Sequence, residues 1–460
     1  MPTIRDVLLI HHSHTDIGYT NFQDNVFAMQ RDYIYRALDL AEAYADGQPG
    51  EQFKWTCETT IIVDDFLRHA RPAEIDRLQA LHRRGLIGFA GMFANLTPLY
   101  SAEMLARTLY IAGRLRRDYG LDIRYALNCD VNGQSWGLVE MLLDAGFAGF
   151  AMEINRVMAR DPQPRPSAFW WQGPSGRRIL VWHGEHYGSG HHLGIPRASV
   201  KTPHGNVWVY DLERAQGLVK AYIDRLMEKG YPYDFVYHQI TSTYMWDNGP
   251  PHEELVRFVR EWNGRGWQPR MQIITLGQLF DRLRQQPAET LETRVGEWTD
   301  WWAHGVSSSA YETALARQSH ARLFAVEGLA AALQGMPQPP PYPTDEDDRA
   351  WRSLALYDEH TWGGFDSITH ADSMNARGQL HRKATYAYEG AATISRLAQQ
   401  MQDNLVARLP MSDADRVVVF NPLPWPRRVP LYLPRVPQSG WESDNLRRDL
   451  ELSSPQGLAA

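Results

Sequence analysis

Up to about residue 290 the chain alternates short apolar runs with longer stretches in which apolar side chains recur every three or four positions. Val7-Leu8-Leu9-Ile10 is the first such run, and its short continuous apolar character marks a buried strand. The same pattern predicts strands at 6–12, 53–58, 86–92, 123–130, 147–153, 178–185, 234–241 and 271–276. Between them the period changes: Leu105, Leu109, Ala112 and Leu115 share one helical face, as do Val219, Tyr222 and Leu226. Repeated βα units of this kind build an α/β fold around a mainly parallel sheet. Right-handed crossovers bring every strand's C-terminal end to one side, where residues distant in sequence can meet.

Beyond Trp298 the strand signal stops. Residues 306–335 and 369–404 read as long helices, the first with an inward stripe of Leu323, Val326, Ala330 and Leu333, and a shorter helix is predicted near 346–360. Pro337-Gln338-Pro339-Pro340-Pro341-Tyr342-Pro343 cannot be helical and must be a linker, so a small helical bundle is expected over 296–410. Arg416-Val417-Val418-Val419-Phe420 and Val429-Pro430-Leu431-Tyr432-Leu433 look like the opening strands of a β domain. A lone hairpin is marginally stable, so 411–460 is expected to be either the beginning of a β-sandwich or a packed appendage.

Composition narrows the partners. With 460 residues, 43% of them hydrophobic, the chain can bury a large core. A formal net charge of −7 without a long basic block leaves no electrostatic footprint for nucleic acid or an anionic membrane, so a neutral partner is expected. Cys57 and Cys129 are too few for a disulfide framework, and the apolar run after Met1–Asp6 is far shorter than a signal segment or a membrane span; a cytoplasmic location is the expectation. Aromatic residues reach 11%, which suits a large core as well as ring stacking and so decides nothing.

His12-Ser13-His14-Thr15-Asp16-Ile17-Gly18-Tyr19 follows directly on the first strand. Residues two apart on an extended segment point the same way, so His12, His14 and Asp16 are expected to face one pocket, and His-x-Asp offers the nitrogen and oxygen donors that divalent transition metals accept. Solvated polar residues at a strand end are the alternative. Asp130 ends another predicted strand, Arg124-Tyr125-Ala126-Leu127-Asn128-Cys129-Asp130, on the same rim, where it could also serve as a helix cap. Tyr357-Asp358-Glu359-His360-Thr361-Trp362-Gly363-Gly364 is the third polar concentration; its histidine could instead stabilise a helix C-terminus.

Together these segments resemble glycoside hydrolase family 38, the retaining α-mannosidases. In that family a His-x-Asp-x-Gly-aromatic motif ends the first strand, a catalytic Asp ends a later one, and a distant His of the helical domain completes a zinc site. The resemblance runs in order along nearly the whole chain, as far as Val419-Phe420-Asn421-Pro422-Leu423-Pro424-Trp425-Pro426 at the entry of a β region. It implies a seven-stranded (β/α) barrel-like domain over 1–295, followed by a three-helix bundle. It implies that His14, Asp16, Asp130 and His360 hold one divalent metal ion, zinc in the family, although cobalt or manganese suit the same donors. Asp130 would also attack the anomeric carbon of an oligosaccharide or glycoside substrate, with Tyr19 under the sugar ring. The acid/base carboxyl, roughly 5–5.5 Å from the nucleophile in retaining enzymes, would lie in Tyr244-Met245-Trp246-Asp247-Asn248-Gly249-Pro250-Pro251 and is assigned to Asp247, whose alternative is an Asx turn; Glu253, Glu297 and Asp300 stand in reserve. Glu58, Trp136 and Trp302 are further expected substrate contacts, Glu58 alternatively supporting a ligand from behind.

The chain departs from the family pattern at two places. Gly133-Gln134-Ser135 replaces the usual Gly-His-Ser, and Glu359-His360-Thr361 replaces His-His-Asp, so the sugar and linkage stay open. His183, His186, His191 and His192 are irregularly spaced in a Gly-rich loop and read as solvated or substrate-loop histidines before a second metal site. Trp298, Trp301 and Trp302 flank the junction with the bundle, where packing is the first explanation. Two other readings remain at this point: a metal-dependent carbohydrate deacetylase on a related barrel, and a non-catalytic carbohydrate-binding or scaffold protein. The oligomeric state is open.

Overall fold

A computed structural model describes residues 3–155, 166–203, 205–241, 247–287, 290–298, 302–410, 418–428 and 430. Twelve strands are formed among them: β1 (Asp6–His11), β2 (Trp55–Cys57), β3 (Ile87–Phe89), β4 (Tyr125–Asp130), β5 (Gly149–Ile154), β6 (Ser167–Gln172), β7 (Arg178–His183), β8 (Ala198–Thr202), β9 (Gly205–Val209), β10 (Phe235–Ile240), β11 (Arg270–Ile274) and β12 (Glu292–Val295). β1 lies between β10 and β11, parallel to both, with Asp6 opposite Phe235 and Arg270. Val7, Leu9 and Ile10 are fully buried, as a strand covered on both faces requires. β4 is parallel to β5, and β5 to β7.

All eight expected strands are present, but four more interrupt the βα rhythm. β6 runs antiparallel to β7 through a tight turn that includes Gly176 at φ 85°, a conformation glycine adopts freely. β8 and β9 form a separate hairpin, and β12 pairs with β6 at the edge of the second sheet. The seven-stranded barrel is therefore not what the ladders trace. Among the described residues the sheets have three, five, two and two strands, and none closes on itself. β2 and β3 are three residues long and ladder only with each other; one backbone bond, Gly91 N–H to the Tyr125 carbonyl at 2.9 Å, spans the gap from the end of β3 to β4.

The bundle consists of Ala310–Gln334, preceded by a 3-10 segment Trp302–Ser309, then Thr344–Asp358 and Met374–Val406. Leu323, Val326, Ala330 and Leu333 are buried as their spacing predicts, and the proline-rich linker joins the first two helices. No helix is long and apolar enough to cross a membrane among the described residues. Residues up to Pro410 form one compact unit and those from Met411 a second. In the second unit, 418–420 joins no sheet among the described residues; most of the expected hairpin (416, 417, 429 and 431–433) lies outside them.

Candidate active site

Three chain segments meet beyond the C-terminal ends of β1 and β4. The loop after β1 brings His14 and Asp16, β4 ends on Asp130, and the helix Thr344–Asp358 stops just before His360. His360 Nε2 is 3.1 Å from Asp16 Oδ1 and 3.2 Å from Asp130 Oδ2; His14 Nε2 is 3.4 Å from Asp16 Oδ1 and 3.9 Å from Asp130 Oδ2. The four donor atoms lie within 4.8 Å of one another, and all four residues are buried. His14 Nε2, His360 Nε2 and Asp16 Oδ2 lack a hydrogen-bond partner of good geometry. Buried polar atoms in that state are costly unless something else satisfies them.

Each imidazole is backed by a carboxylate. His14 Nδ1 is 3.0 Å from Glu58 Oε1, while Glu58 also accepts from the Thr15 N–H at 2.6 Å and from Asn95 Nδ2 at 3.0 Å. His360 Nδ1 is 2.8 Å from Glu359 Oε1. Glu359 in turn accepts from the Ile17 N–H at 3.2 Å, the Thr361 N–H at 3.0 Å and the buried Lys383 ammonium at 3.3 Å. His14 is thereby held as in carboxylate–histidine–metal arrangements, and His360 has its carboxylate close by although Nδ1 lacks good hydrogen-bond geometry to it. Two imidazole nitrogens and two carboxylate oxygens on four buried residues, with both nitrogens unsatisfied, fit a divalent transition metal ion.

The electrostatics agree. Burial opposes charge on His14, yet the Glu58 and Asp16 carboxylates hold its pKa well above the usual imidazole value. At His360 burial is likewise outweighed, chiefly by Glu359, with Asp130 and Asp16 adding to the rise. Burial would raise the Asp16 pKa, but the two histidines bring it down to about 2. The site thus favours positive charge between its carboxylates, which a cation would supply without protons.

Asp130 has φ 72°, a left-handed conformation unfavourable for a residue with a Cβ, and the neighbouring chain holds it there: Asn155 donates its backbone N–H to the Asp130 carbonyl at 3.0 Å and its side-chain amide to Oδ1 at 2.8 Å. Oδ2 is left facing the two histidines. Asp247 shares this environment. Burial first, then the Asp16 and Asp130 carboxylates, raise its pKa to about 7, while a hydrogen bond with the Tyr187 hydroxyl works the other way. The Tyr187 ring stacks on His14, with centroids 4.1 Å apart. Asn248, next to Asp247, clamps the loop after β1: Oδ1 accepts from the Asp16 N–H at 3.1 Å, and Nδ2 donates to the Asp16 carbonyl at 3.2 Å.

The remaining expected residues separate. Tyr19, at φ 60°, is partly exposed beside the centre and bridges to Gly364. Glu58 has both oxygens engaged by protein groups and is fully buried, behind His14. Trp302 donates its indole N–H to the His360 carbonyl at 2.6 Å, and Trp136 donates to the Gln172 carbonyl at 2.8 Å on β6. Trp298 stacks on Trp171 at 4.6 Å. His12 does not join the four donors, because β1 ends at His11 and the two-residue alternation stops with it. Glu253 is exposed and 3.8 Å from Arg36, Glu297 is exposed, and Asp300 and Trp301 lie outside the described residues. The histidines of the Gly-rich loop form no further donor group of this kind among the described residues.

Tyr187, Asn95, Asn155, Asn248 and Lys383 were not legible as site residues. Each acts through a partner brought by another element, and no local pattern announces that.

The model of the glycosyl hydrolases family 38 N-terminal domain matches residues 5–301, more than half of the chain. An α-mannosidase structure from Enterococcus faecalis V583 is similar over 88% of this chain and 43% of its own, at 17% identity and a TM-score of 0.64. A second structure, of a protein in the glycosyl hydrolase family 38 from Enterococcus faecalis, is similar over 88% and 41%, at 17% identity and a TM-score of 0.56. The chain therefore spans less than half the length of these two structures, and at such identity they establish likeness of fold. No curated protein matches the chain. With the family model covering β1, β4 and the loops that carry His14, Asp16, Asp130 and Asp247, the chain belongs to glycosyl hydrolase family 38.

Proposed function

We propose that the chain is a metal-dependent, retaining, α-mannosidase-like glycoside hydrolase, with zinc as the metal. The observation that carries this reading is the convergence of His14, Asp16, Asp130 and His360, each imidazole backed by its own carboxylate. A divalent ion held by these four residues would supply Lewis-acid attraction for sugar hydroxyls.

The chain's own groups carry the bond changes. Asp130, fixed in its strained conformation by Asn155, forms a bond to the anomeric carbon as the glycosidic C–O bond breaks. Asp247 enters protonated, as its raised pKa allows, and gives its proton to the departing oxygen. Water then attacks the glycosyl ester and returns a proton to Asp247, freeing Asp130. Tyr187 positions Asp247 by its hydroxyl and covers His14 with its ring. The partly exposed Tyr19 offers an apolar face to the sugar.

The test is hydrolysis of an aryl α-mannoside by the full chain, with and without chelator, alongside an acetylated chito-oligosaccharide. Phenol release that chelation abolishes and zinc restores supports the reading. Acetate release alone, or calorimetric sugar binding without turnover by the metal-loaded protein, overturns it. Retention is tested separately by mass spectrometry: an activated fluorinated glycoside should leave a covalent adduct on Asp130.

A further inference from the structure

Away from the four-donor centre, a cleft of about 1200 Å³ opens among the helices Thr60–His69, Tyr110–Tyr119 and Thr344–Asp358. Asp64 binds three guanidinium groups there. Arg68 Nε donates to Oδ2 at 2.8 Å, Arg352 Nη1 to the same oxygen at 3.4 Å, and Arg114 Nη2 to Oδ1. One carboxylate can neutralise only one of these charges. The Asp64 side chain is 4% exposed, whereas those of Arg68, Arg114 and Arg352 are 59%, 37% and 33% exposed. A guanidinium carries five N–H donors, and the Asp64 bonds engage one nitrogen of each. Burial, opposed by Asp64 but reinforced by Arg68, lowers the Arg352 pKa, so the excess charge is unfavourable as it stands.

The rest of the lining narrows the ligand. Arg107 lies over the Tyr110 ring at 5.4 Å and the Trp351 ring at 5.1 Å, and pairs with Glu103 and Glu327 at 2.8 Å each. It props an aromatic wall and adds no free charge. Tyr110 is 59% exposed. Asp345 and Asp348 also line the cleft and form no ion pair among the described residues, while the two further lining arginines, Arg117 and Arg349, are paired with Asp118 and Glu346. These carboxylates would repel a uniformly anionic ligand but accept hydrogen bonds from hydroxyls. A ligand with an oxyanion at one end and hydroxyls on a compact ring satisfies both halves.

We infer that this cleft is a binding site for a phosphorylated monosaccharide, distinct from the catalytic centre: Arg68, Arg114 and Arg352 take the phosphate, Tyr110 meets the ring, and Asp345 and Asp348 accept from its hydroxyls. Losing one charge-assisted hydrogen bond of this type weakens binding roughly tenfold or more.

The experiment is calorimetric titration of the full chain with glucose 6-phosphate, glucose and inorganic phosphate. Glucose 6-phosphate is expected to bind with one equivalent, and both fragments at least about tenfold more weakly. Arg68→Gln and Arg114→Gln should each weaken glucose 6-phosphate by a similar factor, while Asp130→Ala leaves its Kd unchanged. No binding at millimolar concentration, equal affinity for glucose, or an unchanged Kd in both arginine variants overturns the site. Loss of binding in Asp130→Ala assigns it to the catalytic centre and likewise overturns it, and inorganic phosphate binding as tightly as the sugar phosphate overturns the sugar half. If circular dichroism shows that neither arginine variant folds, a salt series on the parent decides: the Kd for glucose 6-phosphate must rise with sodium chloride, and a salt-independent Kd overturns the proposal.

Discussion

Two groups of buried histidines in this molecule have opposite chemistry. At the four-donor centre His14 and His360 each face a carboxylate, and their pKa values rise despite complete burial. Around the end of β1 and the loop after β7, His11 packs edge-on against Phe53 and Trp55 and lies 4.5 Å from the His252 ring. His191 meets Trp208, and His238 bonds a hydroxyl, that of Ser189, at 2.9 Å. Burial, with other imidazoles nearby, brings His191 and His238 down to about 3. The difference lies in the carboxylates: His14 and His360 are backed by Glu58 and Glu359 and face Asp16 and Asp130, whereas burial dominates at His191 and His238.

That contrast is broken most severely at Asp130. Asp130→Ala removes the proposed nucleophile and a proposed metal donor together, so both turnover of an aryl α-mannoside and most of the metal binding should vanish; normal activity in this variant would falsify the assignment. Asp247→Asn should leave metal content intact and cost about 10²–10⁴ in kcat, the usual contribution of a general acid. Its deficit should shrink on substrates whose leaving group needs no proton, and a uniform deficit would point to misfolding of the loop instead. Smaller again, Glu58→Gln and Glu359→Gln should each weaken metal binding about 10–100-fold in a competition assay with a chelating dye. His191→Leu, in the contrasting region, should leave metal affinity where it was. A metal-binding loss in His191→Leu equal to that in Glu58→Gln would erase the distinction between the two regions.

How much of this was legible in the chain follows the same division. His14, Asp16 and Asp130 could be read onto one rim because they sit at ends of periodic elements, and parallel strands carry such ends to one side; His360, beyond the end of a helix, was joined to them only by the family resemblance. Of the carboxylates behind them, Glu58, ending a strand, was legible either as a substrate contact or as support for a ligand, and Glu359 only as the sequence neighbour of His360. Lys383, buried in the middle of the helix Met374–Val406, had no signal, since its ammonium is satisfied by the Leu356 and Glu359 carbonyls of another helix end, at 3.1 and 2.6 Å. The positive φ of Asp130 was equally hidden, because aspartate is not a residue whose presence demands it. β6 escaped for a different reason: an antiparallel partner through a short turn is incompatible with a strictly repeated βα rhythm, and apolar periodicity does not report strand direction.

The smallest expected effect isolates the second region by itself. A histidine with a folded-state pKa near 3 stays neutral while the unfolded chain takes up a proton below about pH 6.5, so its burial costs stability as pH falls through that window. Asp358, raised to about 8 by burial, acts in the opposite sense, because the folded state holds its proton where the unfolded chain does not. The absolute slope therefore mixes signs, and the informative quantity is the difference between the parent and His191→Leu, both freed of metal with chelator. Between pH 7 and 5 the parent should lose about 2 kcal/mol relative to the variant, measured by urea unfolding at each pH. His14 and His360 do not enter this difference, because the parent and the variant both carry them. A stability gap independent of pH would mean that the His191 imidazole takes up a proton inside the fold, and the two regions would then differ in degree but not in kind.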